Sequence, residues 1–276
     1  IEKSAGKPLY HRLNMLRLFQ DAGQLRFRER LQNQPAAQRF FGEACAAGNC
    51  GQGIHAPFGG FTQYRTGYLD LPGLLGHLRE QFILSNALTT RSLDYAAIRL
   101  EENTVSWRGF SADQLVCCEG WRAQANPWFS WLPFTPDKGE YHTLRGGILP
   151  EQIVNGRHMA IPLATGSLRF GSTHEHKRLD SEPTSEGRRQ LLAGLQQLLS
   201  NGNEFVVTAH QAGVRPATQD RQPLLGTHPE HPNLHIFNGF GAKGTLTIPW
   251  HARRFSQYLR EGLPLPGLSD ISRFNA

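Results

Sequence analysis

Six residues late in the chain, Gly239-Phe240-Gly241-Ala242-Lys243-Gly244, carry the spacing G-x-G-x-x-G. An apolar run with Leu234, Ile236 and Phe237 precedes them and reads as a buried strand. A helical pattern follows, opening at Thr245 and Leu246 and running through Trp250, Ala252 and Phe255. Glycines in that setting let backbone N–H groups at a helix N-terminus approach a ligand closely. Lys243 adds a positive charge inside the turn. A complete dinucleotide-binding βαβ unit needs a second strand after the helix, and only the proline-rich stretch 262–276 follows here. Glu261 lies at roughly the ~20-residue offset of a ribose-binding acid, but no apolar strand precedes it. The turn therefore reads as a second ligand contact and not as the primary nucleotide fingerprint.

Arg215, upstream of the turn, is the strongest candidate for substrate chemistry. A guanidinium can grip a carboxylate through two parallel charge-assisted bonds, which orients the partner as well as holding it. The structural alternative is an arginine paired with Asp220 to brace a turn. Tyr64 and Arg65, after Gly59-Gly60, can line a substrate pocket or decorate a surface hairpin. The twelve histidines are dispersed. His174-x-His176 places two imidazoles on one side of a strand, but no third metal ligand is identifiable. Nothing matches H-E-x-x-H, G-x-S-x-G or G-x-x-x-x-G-K-[ST], so hydrolase and P-loop chemistry have no support.

The run Gly213-Val214-Arg215-Pro216-Ala217-Thr218-Gln219-Asp220-Arg221-Gln222-Pro223-Leu224-Leu225-Gly226, with the strand and glycine turn after it, resembles the C-terminal flavin-and-substrate segment of the D-amino-acid oxidase and glycine oxidase superfamily. Two further segments match in family order. One is Gly59-Gly60-Phe61 through Asp70-Leu71-Pro72, and the other is Leu115-Val116-Cys117-Cys118-Glu119-Gly120-Trp121 with Pro136-x-x-Gly139.

That resemblance implies an FAD-dependent oxidoreductase that takes hydride from the carbon beside an amine, acting on a small-molecule amine or amino acid. It implies that Arg215 binds the substrate carboxylate and that Gly239 to Leu246 lie near the pyrimidine side of the flavin. Gly120 matches a third flavin contact, and Tyr95 a position that touches adenine through its backbone. Covalent relatives attach flavin through a cysteine that aligns near Gly213, so a glycine there implies non-covalent FAD. A tRNA-modifying oxidase has a similar G-V-R-x-A-T-x-D-x-x-P stretch, which leaves tRNA as an alternative partner, and a non-catalytic fragment without cofactor is the third reading. The family opens with a strand, a G-x-G-x-x-G loop, a helix and a ribose-binding acid, none of which is found in this sequence. Ile1 resembles a position well inside the family, so a truncated or processed piece is expected.

The elements that must position these residues mix helices with short strands, giving an α/β or mixed α+β protein. By resemblance it holds part of a Rossmann-like FAD-binding domain interleaved with a sheet-based substrate domain. Residues 1–66 and 122–200 fall to the substrate domain, and 67–121 and 201–276 to the flavin domain. Residues 13–39 are amphipathic and read as mainly helical. Asp70 caps a helix with Pro72 in its first turn and Leu71, Leu74, Leu75, Leu78 and Phe82 on one face. Short strands are expected around 97–100, 105–107 and 114–118, and strand-like alternation over 140–172. Thr184 or Ser185 caps a helix with the stripe Leu191, Leu192, Leu195, Leu198 and Leu199.

The 276 residues suffice for a large core. The balance of 29 basic to 23 acidic residues gives +6, with no block of like charges, so a scattered solvated surface accounts for it and nucleic acid is permitted without being indicated. No run approaches the ~18 to 20 apolar residues of a membrane span. The spacing Cys45-x4-Cys50 fits no standard zinc ribbon, and Cys117-Cys118 falls in an apolar strand where it fills core. Free thiols and a cytoplasmic setting are therefore the expectation.

Overall fold

The computed structural model describes residues 1–274. Its strands are β1 (Tyr10–Arg12), β2 (Met15–Leu18), β3 (Phe41–Cys45), β4 (Gly60–Gln63), β5 (Gly67–Leu69), β6 (Ile98–Leu100), β7 (Val105–Trp107) and β8 (Phe110–Ala112). They continue with β9 (Leu115–Cys117), β10 (Asp137–Gly146), β11 (Ile153–Asn155), β12 (Met159–Pro162), β13 (Leu168–Gly171), β14 (Phe205–Arg215), β15 (Leu224–His228) and β16 (His231–Asn238). The helices are α1 (Glu2–Ala5), α2 (Ala22–Gln32), α3 (Pro35–Gln38), α4 (Leu71–Leu84), α5 (Ser185–Leu198) and α6 (Gly244–Glu261). Among the described residues no helix is long and apolar enough to cross a membrane. The mixed α/β class expected from the sequence holds.

Two compact units share the chain. The first comprises Ile1–Thr89, Gly139–His174 and Ser181–Ala212, and the second Thr90–Lys138, Glu175–Asp180 and Gly213–Ala276. These crossings differ from the expected breaks after residues 66, 121 and 200, chiefly because α4 clusters with the first unit and 122–138 with the second.

The first unit is organised by an eight-stranded sheet ordered β14-β10-β13-β12-β11-β2-β4-β3. Leu16, Leu144, Val154, Ala160, Leu168 and Phe170 form its core with Leu191, Leu195 and Leu198 of α5. Burying each such side chain contributes about 1.5–3 kcal/mol, as an upper estimate. The expected stripe of α5 is confirmed, and Thr184 caps the helix by accepting from Gly187 N at 2.9 Å. The buried carboxylate of Glu140 holds that end down. It accepts from Thr184 N (2.9 Å) and Thr184 Oγ1 (2.8 Å). His210 Nε2 lies 2.9 Å from Glu140 Oε2.

One expectation is refined here and two are corrected. Residues 13–39 are mainly helical, over Ala22–Gln32 and Pro35–Gln38, but Met15–Leu18 form a strand paired with β4 and β11. Four residues alternating outward and inward, with Leu16 and Leu18 buried, satisfy the sheet period that a longer helical window masks. Cys45 and Cys50 form a disulfide, because the Asn49 N to Ala46 O turn (3.0 Å) doubles the chain back between them. Of the other pair only Cys117 fills core; Cys118 lies just past the end of β9 and is exposed. Helix α4 forms with its Asp70 cap, yet none of its residues is buried.

The second unit contains a three-stranded sheet ordered β15-β16-β9 and a meander of β6, β7 and β8. β16 runs parallel to β9, with Leu234 opposite Leu115 and Ile236 opposite Cys117. Leu225, Phe255 of α6 and Leu265 form a buried cluster against Phe237 and Tyr258.

Two outcomes follow from the Glu140 site. A Cβ on Gly187 would lie 2.3 Å from Glu140 Oε2, whereas one on Gly76 of α4 meets nothing within 4 Å. Gly187→Ala should lower stability in urea unfolding by about 1–3 kcal/mol, while Gly76→Ala should raise it by about 0.5–1 kcal/mol. The second outcome concerns His142, which is fully buried with both ring nitrogens unpartnered beside His210 (rings 4.6 Å apart). Burial pushes its pKa from 6.5 down to about 4, with His210 and Arg188 acting the same way and Glu140 against them. The folded form thus refuses a proton that the unfolded chain accepts. Its contribution is complete above pH 6.5 and is lost as pH falls toward 4, by up to about 3 kcal/mol. His158, His228 and His235, also shifted down by burial, add to the same slope. Urea titrations at pH 7.5 and 5 should show His142→Phe losing less stability than the parent; equal losses would remove His142 from the account.

Candidate functional site

Three residues past the paired Ile236 and Cys117 stand Gly239 and Gly120, at equivalent positions beyond the carboxyl ends of two parallel strands. Both have positive φ, 78° and 62°, which favours glycine. In open α/β sheets this end is where ligands bind. The side chain of Asn238 ties the two turns together: Nδ2 donates to Gly120 O (2.9 Å) and Oδ1 accepts from Gly239 N (2.8 Å).

The chain then turns through Phe240 and Gly241 into α6. Phe240 packs on Phe237, with centroids 4.8 Å apart, and its edge meets His251. A Cβ at Gly239 would come within 3.0 Å of Thr218 and Leu224, so only glycine lets this turn close on the 215–226 segment. Gly241 N donates to Pro216 O at 3.1 Å, which sets the turn beside Arg215. Helix α6 begins at Gly244, one residue before the expected Thr245, and no side chain caps it. Ala242, Lys243, Thr245 and Leu246 are exposed around that start, Leu246 by 80%. An uncapped helix start with an adjacent lysine concentrates positive potential.

Arg215 is held by Asp137, not by Asp220. Its Nη1 donates to Asp137 Oδ2 at 2.6 Å and to Asp137 O at 3.4 Å. Asp220 instead receives Arg273 Nε at 3.0 Å. The turn-bracing alternative with Asp220 is therefore corrected, and Asp137 is a partner that sequence reasoning misses. Its one signal is its place inside Pro136-x-x-Gly139, where the framing proline and glycine draw the eye. Asn238 is missed too, hidden among the apolar residues of its strand.

The other candidates separate. Gly213 lies exposed in β14, where an added Cβ would meet nothing within 4 Å, and Gly120 is equally open. The Tyr95 hydroxyl hydrogen-bonds Glu119, whose other oxygen accepts from Asn126 Nδ2 at 2.8 Å, and burial together with that bond pushes the Tyr95 pKa up. Tyr95 itself stands in a 3₁₀ turn ahead of β6. Tyr64 and Arg65 belong to the first unit, between β4 and β5. The Tyr64 ring lies over Gly42, and Arg65 is in the left-handed region at φ 59°. His176 Nδ1 donates to Pro136 O at 3.1 Å. Beside the site, Val116, Cys118, Phe237, Phe255 and Leu259 line an open apolar trough of about 370 Å³.

The chain as a whole is similar to known proteins. The glycine oxidase of Pseudomonas putida is 30% identical over 136 residues, which are 49% of this chain and 37% of that relative. A tRNA 5-methylaminomethyl-2-thiouridine biosynthesis bifunctional protein of Marinobacter nauticus is 31% identical over 111 residues, 37% of this chain and 18% of the relative. The crystal structure of glycine oxidase from Geobacillus kaustophilus superposes with a TM-score of 0.82 at 18% identity, covering 99% of this chain and 77% of that one. The fold is thus shared across that length, while matched sequence spans little over a third of the P. putida relative. The model of the FAD dependent oxidoreductase (DAO) family matches residues 1–258, and the chain belongs to that family.

Proposed function

We propose that the chain forms the flavin- and amine-facing part of an FAD-dependent oxidoreductase that oxidises the C–N bond of a carboxylate-bearing amine or amino acid, with FAD held non-covalently. The observation that carries this reading is the pair of glycine turns at matched positions beyond β9 and β16, joined by Asn238 and set against Pro216. The residues present fit a flavin there. Gly120 and Gly213 leave open space, Gly239 closes its turn on Thr218 and Leu224, Gly241 and Gly244 lead into α6, and α6 lacks a side-chain cap. Phe240, Ala242, Lys243, Thr245 and Leu246 complete the holding segment. Bound FAD would supply the two-electron hydride acceptor.

The chain's own part is orientation and electrostatics. Backbone N–H groups at the α6 start, with Lys243, favour an electron-rich ring edge and any negative charge that grows on it. Arg215 positions the substrate carboxylate, and Asp137 fixes the guanidinium plane from its Nη1 side. In this reading the second unit centres the flavin part, and the eight-stranded sheet of the first unit supplies the substrate part, with Tyr64 and Arg65 as candidate lining residues. The relative named for tRNA 5-methylaminomethyl-2-thiouridine biosynthesis favours a second reading, in which the amine is carried on a tRNA uridine. Net charge of +6 suits that partner, and a steep loss of tRNA binding with salt would separate the readings.

In the holoenzyme, Arg215→Ala should raise KM for a carboxylate-bearing amine with each lost charged hydrogen bond costing about 1.5–3 kcal/mol. An unchanged KM with lowered thermal stability would make Arg215 a brace for Asp137. A separate outcome concerns retention. Strand β9 is the edge of its sheet, and among the described residues none forms a strand, G-x-G-x-x-G loop and helix against it. The 276-residue chain incubated with FAD should therefore lose its visible flavin absorption on gel filtration. Stoichiometric retention would refute the view that the ADP end needs that further element.

A further inference from the structure

The face of β2, β3 and β4 turned away from the α5 core carries an aromatic row. Leu16 and Leu18 point into the core, so Arg17 stands on the opposite face, directly across from Phe61 of β4. The Phe61 ring stacks on Phe19 at 5.7 Å and meets Phe41 at 5.0 Å. Helix α2 crosses this row and lays Arg28 over it, its guanidinium carbon 5.5 Å from the Phe61 centroid and 5.9 Å from that of Phe41. These residues and Phe27 line a cavity of about 560 Å³. Among the described residues no aspartate or glutamate lines it.

Arg28 is incompletely satisfied there. Nη2 reaches Gly42 O at a long 3.4 Å, while Nε is shielded from water and has no acceptor. Of the other partly buried arginines, Arg215 and Arg273 each have a carboxylate, while Arg169 lies over the Tyr141 ring with its Nε likewise without an acceptor but lines no such cavity. A guanidinium N–H kept from water without an acceptor points to an anion from outside the chain. Flat aromatic walls select a ring, and a planar fork of N–H donors matches a carboxylate.

We propose that this cavity binds a planar aromatic carboxylate, its ring against the Phe19–Phe61–Phe41 row and its carboxylate on Arg28, with Arg17 adding positive charge at the mouth. The volume suits a one- or two-ring acid. This site is separate in its residues from the Arg215 clamp and does not depend on the oxidoreductase reading.

The test is a titration of the full chain with 2-naphthoate, followed by the acid's own fluorescence. Saturable binding in the millimolar range or tighter is expected. Arg28→Met should weaken it by about tenfold or more, Phe27→Ala by several fold, and Arg189→Ala, at an exposed position of α5, not at all. 2-Naphthamide, which keeps the rings without the charge, and cyclohexanecarboxylate, which keeps the charge without the ring, should each compete about tenfold more weakly than 2-naphthoate. Absence of a saturable signal, unchanged affinity in Arg28→Met, or loss of binding in Arg189→Ala would overturn the proposal, as would a tighter fit for phenyl phosphate than for benzoate. Should Arg28→Met lose its circular dichroism, Phe27→Ala decides, since Phe27 is 55% exposed and its truncation leaves the fold intact.

Discussion

The buried amide of Asn238 is the constraint on which the candidate site depends. It is 3% exposed, and it both donates to Gly120 O and accepts from Gly239 N. A carboxylate of the same shape could accept but not donate, and an aliphatic side chain would strand both backbone groups. From that amide the geometry propagates along the chain. Gly239 closes on Thr218 and Leu224, Gly241 N reaches Pro216 O, and Pro216 follows the arginine that Asp137 holds. One side chain thereby links two parallel strand ends, a helix start and a guanidinium.

The first unit solves a similar problem with a carboxylate. Glu140 satisfies the backbone and hydroxyl of Thr184, and through that cap it fixes where α5 meets the sheet. Net gains from such bonds are small, about 0.5–1.5 kcal/mol each, but leaving the buried partner unmet costs about 1–3 kcal/mol. Leu191, Leu195 and Leu198 supply the attraction between helix and sheet; Glu140 and Thr184 decide the register. The same division between apolar attraction and polar placement governs both units.

How much of this the sequence reveals depends on how local the cause is. The glycine turn, the Thr184 cap and the stripe of α5 are legible because each is a contiguous pattern with one physical meaning. Strand β2 is obscured because four alternating residues sit inside a longer amphipathic window. Asp137 and Asn238 are obscured for a different reason: their partners lie 78 and 118 residues away, and nothing in their neighbours' chemistry signals a long-range bond. Spacing rules for metal sites say nothing of the Cys45–Cys50 disulfide, since a tight turn between the two is all a disulfide requires.

Helix α4 shows where pattern and packing part company. Its cap and apolar face form as the sequence indicates, yet Leu75, Phe82, Ile83 and Leu84 are each at least half exposed. A 14-residue helix is marginal on its own in water, and the unpaired edge of β9 with its apolar trough adds a second uncovered surface. Apolar area left in water contributes nothing to holding the fold together. A partner that covered these surfaces in the folded chain alone would stabilise it by mass action, by about 2.7 kcal/mol at a hundredfold excess over its Kd. Because β9 leads directly to the turn at Gly120, the order of that turn and of its Asn238-linked partner at Gly239 is thermodynamically linked to the covering of that edge.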